Sequence, residues 1–144
     1  IAVLAGFGEE PEFAESILKL FESRISDAFQ FAVANRVLLI KSSSGVAIDI
    51  TFAALPFEKE MMENASPYTF AEGLSLPVCS ADDLFIMKAF AARPKDWIDA
   101  ESIALRQRGR LDIARIIERV TELAELKDEP EITARARRIL EKNL

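Results

Sequence analysis

The chain contains no histidine and one cysteine among its 144 residues, and both shortages exclude classes of site. Without histidine, Ser-His and Cys-His catalysis and histidine-ligated zinc are impossible. Cys79 cannot form an internal disulfide, which suits a reducing compartment, and its position after Leu76-Pro77-Val78 favours a buried structural thiol. No apolar run reaches the ~20 residues of a membrane span, and no signal-peptide pattern opens the chain. We therefore expect a cytoplasmic protein that has no membrane partner.

The chain also has fewer basic residues than acidic residues. The 18 Lys and Arg residues against 24 Asp and Glu residues give a net charge of −6. A protein that coats nucleic acid needs a basic surface, so this balance argues against that class but leaves a local nucleotide site open. The hydrophobic content of 50% and charged content of 29% are typical of a globular protein.

The hydrophobic pattern predicts a mixed α/β core over residues 1–79 and a helical region over residues 80–144. The predicted strands are 1–5, 37–40 and 46–52, and a small hairpin spans Phe70 and 74–78. The predicted helices begin at Pro11, Pro56, Ser80 and Pro94, two more follow at 111–124 and 132–140, and 27–35 allows a short one. Gly6 and Gly8 make a turn, because Glu9 and Glu10 follow them and would repel an anion.

Lys88 is the only charged side chain between Asp83 and Arg93, in a stretch that is apolar on every face. This pattern predicts a largely buried helix. A buried ammonium is costly unless a carboxylate or an anion pairs with it. Lys88 could extend along its stem to water, or it could contact a polyphosphate as a point charge.

Two aspartates follow at i, i+3 spacing in Arg93-Pro94-Lys95-Asp96-Trp97-Ile98-Asp99. Asp96 falls in the first turn of its helix, where the macrodipole favours an acid, and Asp99 lies one turn later. The alternatives here are a helix cap with an ion pair to Arg93 or Lys88, and a role in a site. Trp97 is predicted to be a packing anchor.

Asp49 is a single carboxylate on a predicted strand, between Ile48 and Ile50. It either lies on the solvent face of an edge strand or points into a metal site. One aspartate cannot make a magnesium site, which takes one or two carboxylates together with substrate phosphates.

A cluster of arginines occupies residues 106–119, with acidic residues interspersed. A solvated helical face is the expected arrangement, and binding of RNA through this segment is a further possibility that would be strongly salt-dependent. Its arginines are Arg106, Arg108, Arg110, Arg115 and Arg119.

Several segments in order resemble the minimal nucleotidyltransferases of the abortive-infection AbiEii type, in the DNA polymerase β-like superfamily. The likeness covers about residues 1–120 and is most specific around Lys88 and 93–99. The matching segments are Val46–Thr51, Leu55–Glu60, Leu76–Val78, Ser80–Leu84, Met87-Lys88 and Arg93–Asp99.

The resemblance implies a nucleotidyltransferase-type mixed sheet with flanking helices, and Mg²⁺-dependent transfer of a nucleotidyl group from a nucleoside triphosphate to a hydroxyl. It implies three carboxylates for magnesium, two in an Asp-x-Asp pair and a third on a neighbouring strand that Asp49 matches. Lys88 then faces the triphosphate, and Asp96 and Asp99 orient Lys88 or Arg93, which completes the nucleotide site. The implied acceptor is a tRNA end, a protein hydroxyl or a small molecule, and the implied partner is an antitoxin protein.

The superfamily's Gly-Ser turn and Asp-x-Asp pair do not occur in this sequence. Ile1–Ala5 matches the remainder of the strand that carries the pair, so the resemblance implies that the pair precedes Ile1. The alternative is a catalytically inactive module that keeps the fold for binding or interaction.

Overall fold

In the computed structural model, which describes residues 1–143, seven helices and six strands form a mixed α/β fold that is 53% helical and 20% strand. This confirms the predicted fold class. The elements are β1 (Ala2–Leu4), α1 (Glu10–Leu18), β2 (Glu22–Ser23), α2 (Ala28–Asn35), β3 (Val37–Lys41), β4 (Ala47–Ala53), α3 (Pro56–Glu63), β5 (Ser66–Ala71), β6 (Leu74–Val78), α4 (Ala81–Ala91), α5 (Pro94–Arg106), α6 (Ile113–Lys127) and α7 (Glu131–Lys142).

The chain divides into two compact units, Ile1–Glu63 and Asn64–Leu144. By this division, the β5–β6 hairpin belongs to the same unit as the C-terminal helices. The sequence pattern alone predicts a boundary at residue 79, where the helical character begins.

The first unit is built on a four-stranded sheet in the order β1-β4-β3-β2. β4 pairs in parallel with β1 and antiparallel with β3, so it is an interior strand. Alternate residues of β3 and β4, such as Leu38, Ile50 and Phe52, are buried in one core with Ala14 of α1 and other small residues of α2. Asp49 and Thr51 are the intervening residues of β4, whose side chains point to the opposite face of the sheet. β2 has two residues and no sequence pattern predicted it.

The second unit contains four helices, and α4 packs against α5, α6 and α7. Apolar residues at helical spacing form its core, as the sequence predicts. Its buried members include Phe85, Ile86, Trp97, Ile116, Val120 and Leu140. The burial of Trp97 confirms its predicted role as a packing anchor, and Arg135 stacks on its ring at 4.6 Å.

Candidate functional site

Lys88 and the paired aspartates meet where α4 turns into α5. Ala92 adopts a left-handed conformation that ends α4, and Pro94 begins α5 immediately afterwards. This tight connection brings the last turn of α4 beside the first turn of α5. The Nζ atom of Lys88 lies 2.6 Å from Oδ2 of Asp99 and 3.2 Å from Oδ1 of Asp96.

Asp96 bridges two cations. Its Oδ2 accepts a hydrogen bond from Nε of Arg93 at 2.5 Å, and its Oδ1 accepts one from Nη2 at 3.3 Å and another from Lys88. Its side chain is only 3% exposed, whereas that of Arg93 is 75% exposed. Two cations and two carboxylates leave this cluster (Lys88, Arg93, Asp96 and Asp99) with no net charge.

The hydrogen bonds of this cluster stabilise the charged forms. The bond to Asp99 is the main cause that raises the pKa of Lys88 above its ordinary 10.5, against a smaller opposing effect of desolvation. The bond from Arg93 is the main cause that lowers the pKa of Asp96 below its ordinary 3.8. Lys88 and Asp96 are therefore ionised at neutral pH.

The ion pairs predicted for Asp96 and Asp99 are thus present, and they use the Lys88 ammonium. The side chain of Lys88 is 29% exposed. Its ammonium is therefore partly buried, and it is paired with two carboxylates. Because two carboxylates hold it between α4 and α5, it joins the two helices. Contact with a triphosphate stays a prediction for both Lys88 and Arg93.

A second buried carboxylate anchors the start of α4. The Oγ atom of Ser80 accepts a hydrogen bond from the backbone N–H of Asp83 at 3.0 Å and donates one to its Oδ2 at 2.7 Å. Nη2 of Arg115 on α6 lies 2.6 Å from Oδ1 of Asp83. The sequence predicted the cap, but the arginine is 32 residues away and no local pattern identified it.

Asp49 lies in the first unit and has separate contacts. Its side chain is 65% exposed and forms an ion pair with Arg24, across β3 from β4. The amino group of Ile1 donates a hydrogen bond of 2.9 Å to the backbone carbonyl of Asp49. Asp49 therefore faces solvent, as one of its two interpretations predicted, but on an interior strand instead of an edge strand. Sequence reasoning missed Arg24, which follows the unpredicted β2.

The described residues do not form a complete metal site. Within residues 1–143, no group of three or more His, Cys, Asp or Glu side chains is placed to hold an ion. Asp49 is a chemically suitable ligand for magnesium, but it is a single carboxylate whose partner is a cation. We derive no reaction step through magnesium from these residues.

In the glycine turn after β1, the backbone amides donate hydrogen bonds to the glutamates that follow. Oε2 of Glu9 accepts a hydrogen bond from the N–H of Gly6 at 2.5 Å, and Oε2 of Glu10 accepts one from the N–H of Gly8 at 2.7 Å. Glu10 also pairs with Arg36, which donates a bond of 3.0 Å to the carbonyl of Phe52. The turn interpretation agrees with these bonds, since the chain's own carboxylates occupy the amides.

The arginine segment is partly used in ion pairs. Arg115 contacts Asp83, and Nη1 of Arg119 lies 2.9 Å from Oε2 of Glu122. Arg110 donates to the carbonyl of Arg106 at 2.9 Å. Binding of RNA here stays a prediction.

Comparisons with known proteins do not assign this chain to a family. No protein-family model matches the chain, and no curated protein matches it. Within residues 1–143, none of the helices combines the length and apolar character required to cross a bilayer.

Proposed function

We propose that this protein is a nucleotidyltransferase of the AbiEii type, which transfers a nucleotidyl group from a nucleoside triphosphate to a hydroxyl with magnesium as cofactor. It would act in the cytoplasm as the toxin of a toxin–antitoxin pair, on a tRNA end or a protein hydroxyl. The proposal depends on the order of the matching segments in the sequence.

The position of Asp49 is the structural observation that supports this proposal most. Its carboxylate is exposed on β4, and its backbone carbonyl bonds to Ile1, which immediately precedes the parallel strand β1. In the superfamily that the chain resembles, the catalytic carboxylates stand on neighbouring strands. Asp49 would hold the acceptor hydroxyl by accepting a hydrogen bond from it.

The second unit contains residues that suit a contact to phosphate. Arg93 is the better candidate for this contact, because its side chain is mostly exposed. Its Nε and Nη2 atoms bond to Asp96, but a guanidinium has five N–H donors and suits phosphate. Lys88 would then position Asp96, which in turn positions Arg93. A groove of about 460 Å³ on α5 and α7 does not include this cluster; Ile98, Leu105, Arg138 and Lys142 are among its lining residues.

The test is a transfer assay on the purified protein with magnesium, each labelled nucleoside triphosphate, and RNA or protein acceptors. We expect label transfer that Asp49→Asn abolishes and Asp27→Asn leaves unchanged, since Asp27 is an exposed aspartate of the same unit. We expect Arg93→Ala to weaken triphosphate binding about tenfold, the loss of one charged contact. Transfer that Asp49→Asn leaves intact would disprove the assigned site.

A non-catalytic module that binds nucleotides or a protein is the second candidate. The ion pair between Asp49 and Arg24 favours it, because a carboxylate used in this way needs no metal. This candidate predicts nucleotide binding without transfer, equal for wild type and Asp49→Asn. Binding to RNA through residues 106–119 would instead weaken steeply with added salt.

A further inference from the structure

We propose that two copies of this chain associate through one face of the β5–β6 hairpin. In the antiparallel register, Tyr68 pairs with Leu76 and Ser66 pairs with Val78. Alternation along β6 puts Leu74, Leu76 and Val78 on the same side as Tyr68. The register shifts between Thr69 and Ala71, and the ring contact with Tyr68 puts Phe70 on this side as well. The rings of Tyr68 and Phe70 touch edge-on, with centroids 4.8 Å apart. We call this set of five side chains the hairpin face.

The hairpin face is apolar and uncovered. Its five side chains are between 40% and 59% exposed, and every residue of both strands is exposed. A two-stranded hairpin is marginally stable by itself and needs a packed face. A contiguous exposed patch of this kind marks an interaction surface.

The lack of charge favours a second copy as the occupant. Glu72, in the turn, is the only charged residue between Asn64 and Ser80, in a chain with 29% charged residues. A twofold axis that lies in the plane of the face, perpendicular to the strands, would place each turn beside the uncharged base of the other hairpin. The two copies, each with a net charge of −6, would therefore meet where like charges are fewest.

Proline disfavours the alternative of pairing edge to edge. Pro67 and Pro77 lie opposite each other in the register, and neither has a backbone N–H. Such a pair fits only where the N–H groups would point outward, so both outer edges of the hairpin lack a donor. Extension of the two-stranded sheet is thus disfavoured, and contact through the hairpin face remains.

The area fits a dimer of moderate affinity. Aromatic residues of about 150–250 Å² present on the order of 100 Å² each at half exposure, and the aliphatic ones somewhat less. Two copies would bury about 1,000 Å², which is at the low end for specific interfaces. We therefore expect a dimer that forms in the micromolar range and leaves the monomer folded.

The test is sedimentation velocity and light scattering of the whole chain from about 1 µM to about 1 mM. We expect the average mass to rise toward twice that of the monomer. Leu76→Lys and Tyr68→Ser should each raise the dissociation constant at least tenfold. Ser75→Lys is the matched control, because Ser75 neighbours Leu76 on the same strand but points to the opposite face, and it should have no effect.

Three results would overturn the proposal. They are a wild-type chain that stays monomeric over the whole range, a dimer that Leu76→Lys and Tyr68→Ser both leave intact, and a dimer that Ser75→Lys disrupts equally. A monomeric chain that co-sediments with phosphatidylcholine vesicles would assign the hairpin face to a lipid surface instead. Far-ultraviolet circular dichroism of each variant checks that the helical unit remains folded, and the wild-type dilution series is independent of any variant.

Discussion

At the scale of single residues, the most informative group is Asp96. It is almost fully buried, yet three donor atoms on Lys88 and Arg93 contact its two oxygens. A buried carboxylate is stable only when its oxygens are paired in this way. Asp96 therefore holds α4 against α5, and this role does not depend on a ligand.

We predict that Asp96→Asn lowers the free energy of unfolding by about 2 kcal/mol, because it leaves the Lys88 ammonium with one carboxylate. Asp99→Asn should cost less, since Asp99 is more exposed. Urea denaturation at neutral pH measures both. Equal and negligible effects of the two variants would show that the cluster does not stabilise the helices.

The same comparison has a defined pH dependence. The pKa of Asp96 is lowered on folding, so its contribution is complete above the ordinary value of 3.8 and is lost as pH falls through the lower folded value. The pKa of Lys88 is raised above 10.5, so its contribution is complete below 10.5 and is lost as pH rises through the folded value. The difference between wild type and Asp96→Asn should therefore be constant between about pH 5 and pH 10 and should shrink in acid.

At the scale of the element, α4 depends on its N-terminal cap. Ser80 satisfies a backbone N–H of the first turn and also bonds the buried carboxylate of Asp83, which Arg115 holds from α6. The helix cap and the ion pair thus both involve Asp83. The helix would otherwise begin with an unpaired donor beside a carboxylate that has lost a partner.

We predict that Ser80→Ala destabilises the chain by about 1–2 kcal/mol, the usual cost of a lost cap plus a hydrogen bond. Ser16→Ala is the control, because Ser16 is an exposed residue inside α1, where alanine is the better helix former. Thermal unfolding compares the two. A Ser80→Ala variant as stable as wild type would mean that the cap is dispensable.

At the scale of the whole molecule, the two units each have a core of their own. The helical unit buries large apolar residues from all four of its helices, and α4 contacts the other three. The sheet unit buries alanines together with large apolar residues, and Phe52 is its largest fully buried side chain. A helical bundle with local contacts also folds rapidly.

We predict that the fragment Asn64–Leu144 folds by itself into a cooperative helical unit. Its helices α4 to α7 pack on one another within this unit and carry its apolar core. Circular dichroism should give a helical spectrum and a single sigmoidal melt. A spectrum of random coil would contradict independence of this unit.

Local patterns in the sequence were sufficient for most elements. The β3–β4 hairpin, the cap at Ser80 and the start of α5 at Pro94 all occur as predicted. Turn residues, caps and apolar periodicity act within a few positions, so they can be read from the sequence alone. The cluster at Lys88 was also predictable, because the helices that carry it are joined by two residues.

Tertiary structure decided the partners of the other carboxylates. Arg24 meets Asp49 across 25 residues, and Arg115 meets Asp83 across 32. No periodicity encodes such pairs, because they depend on which strands and helices become neighbours. The sequence by itself thus determined the elements and the charges on them. Only the fold decided that Asp83 bonds Arg115 and that Asp49 faces Arg24.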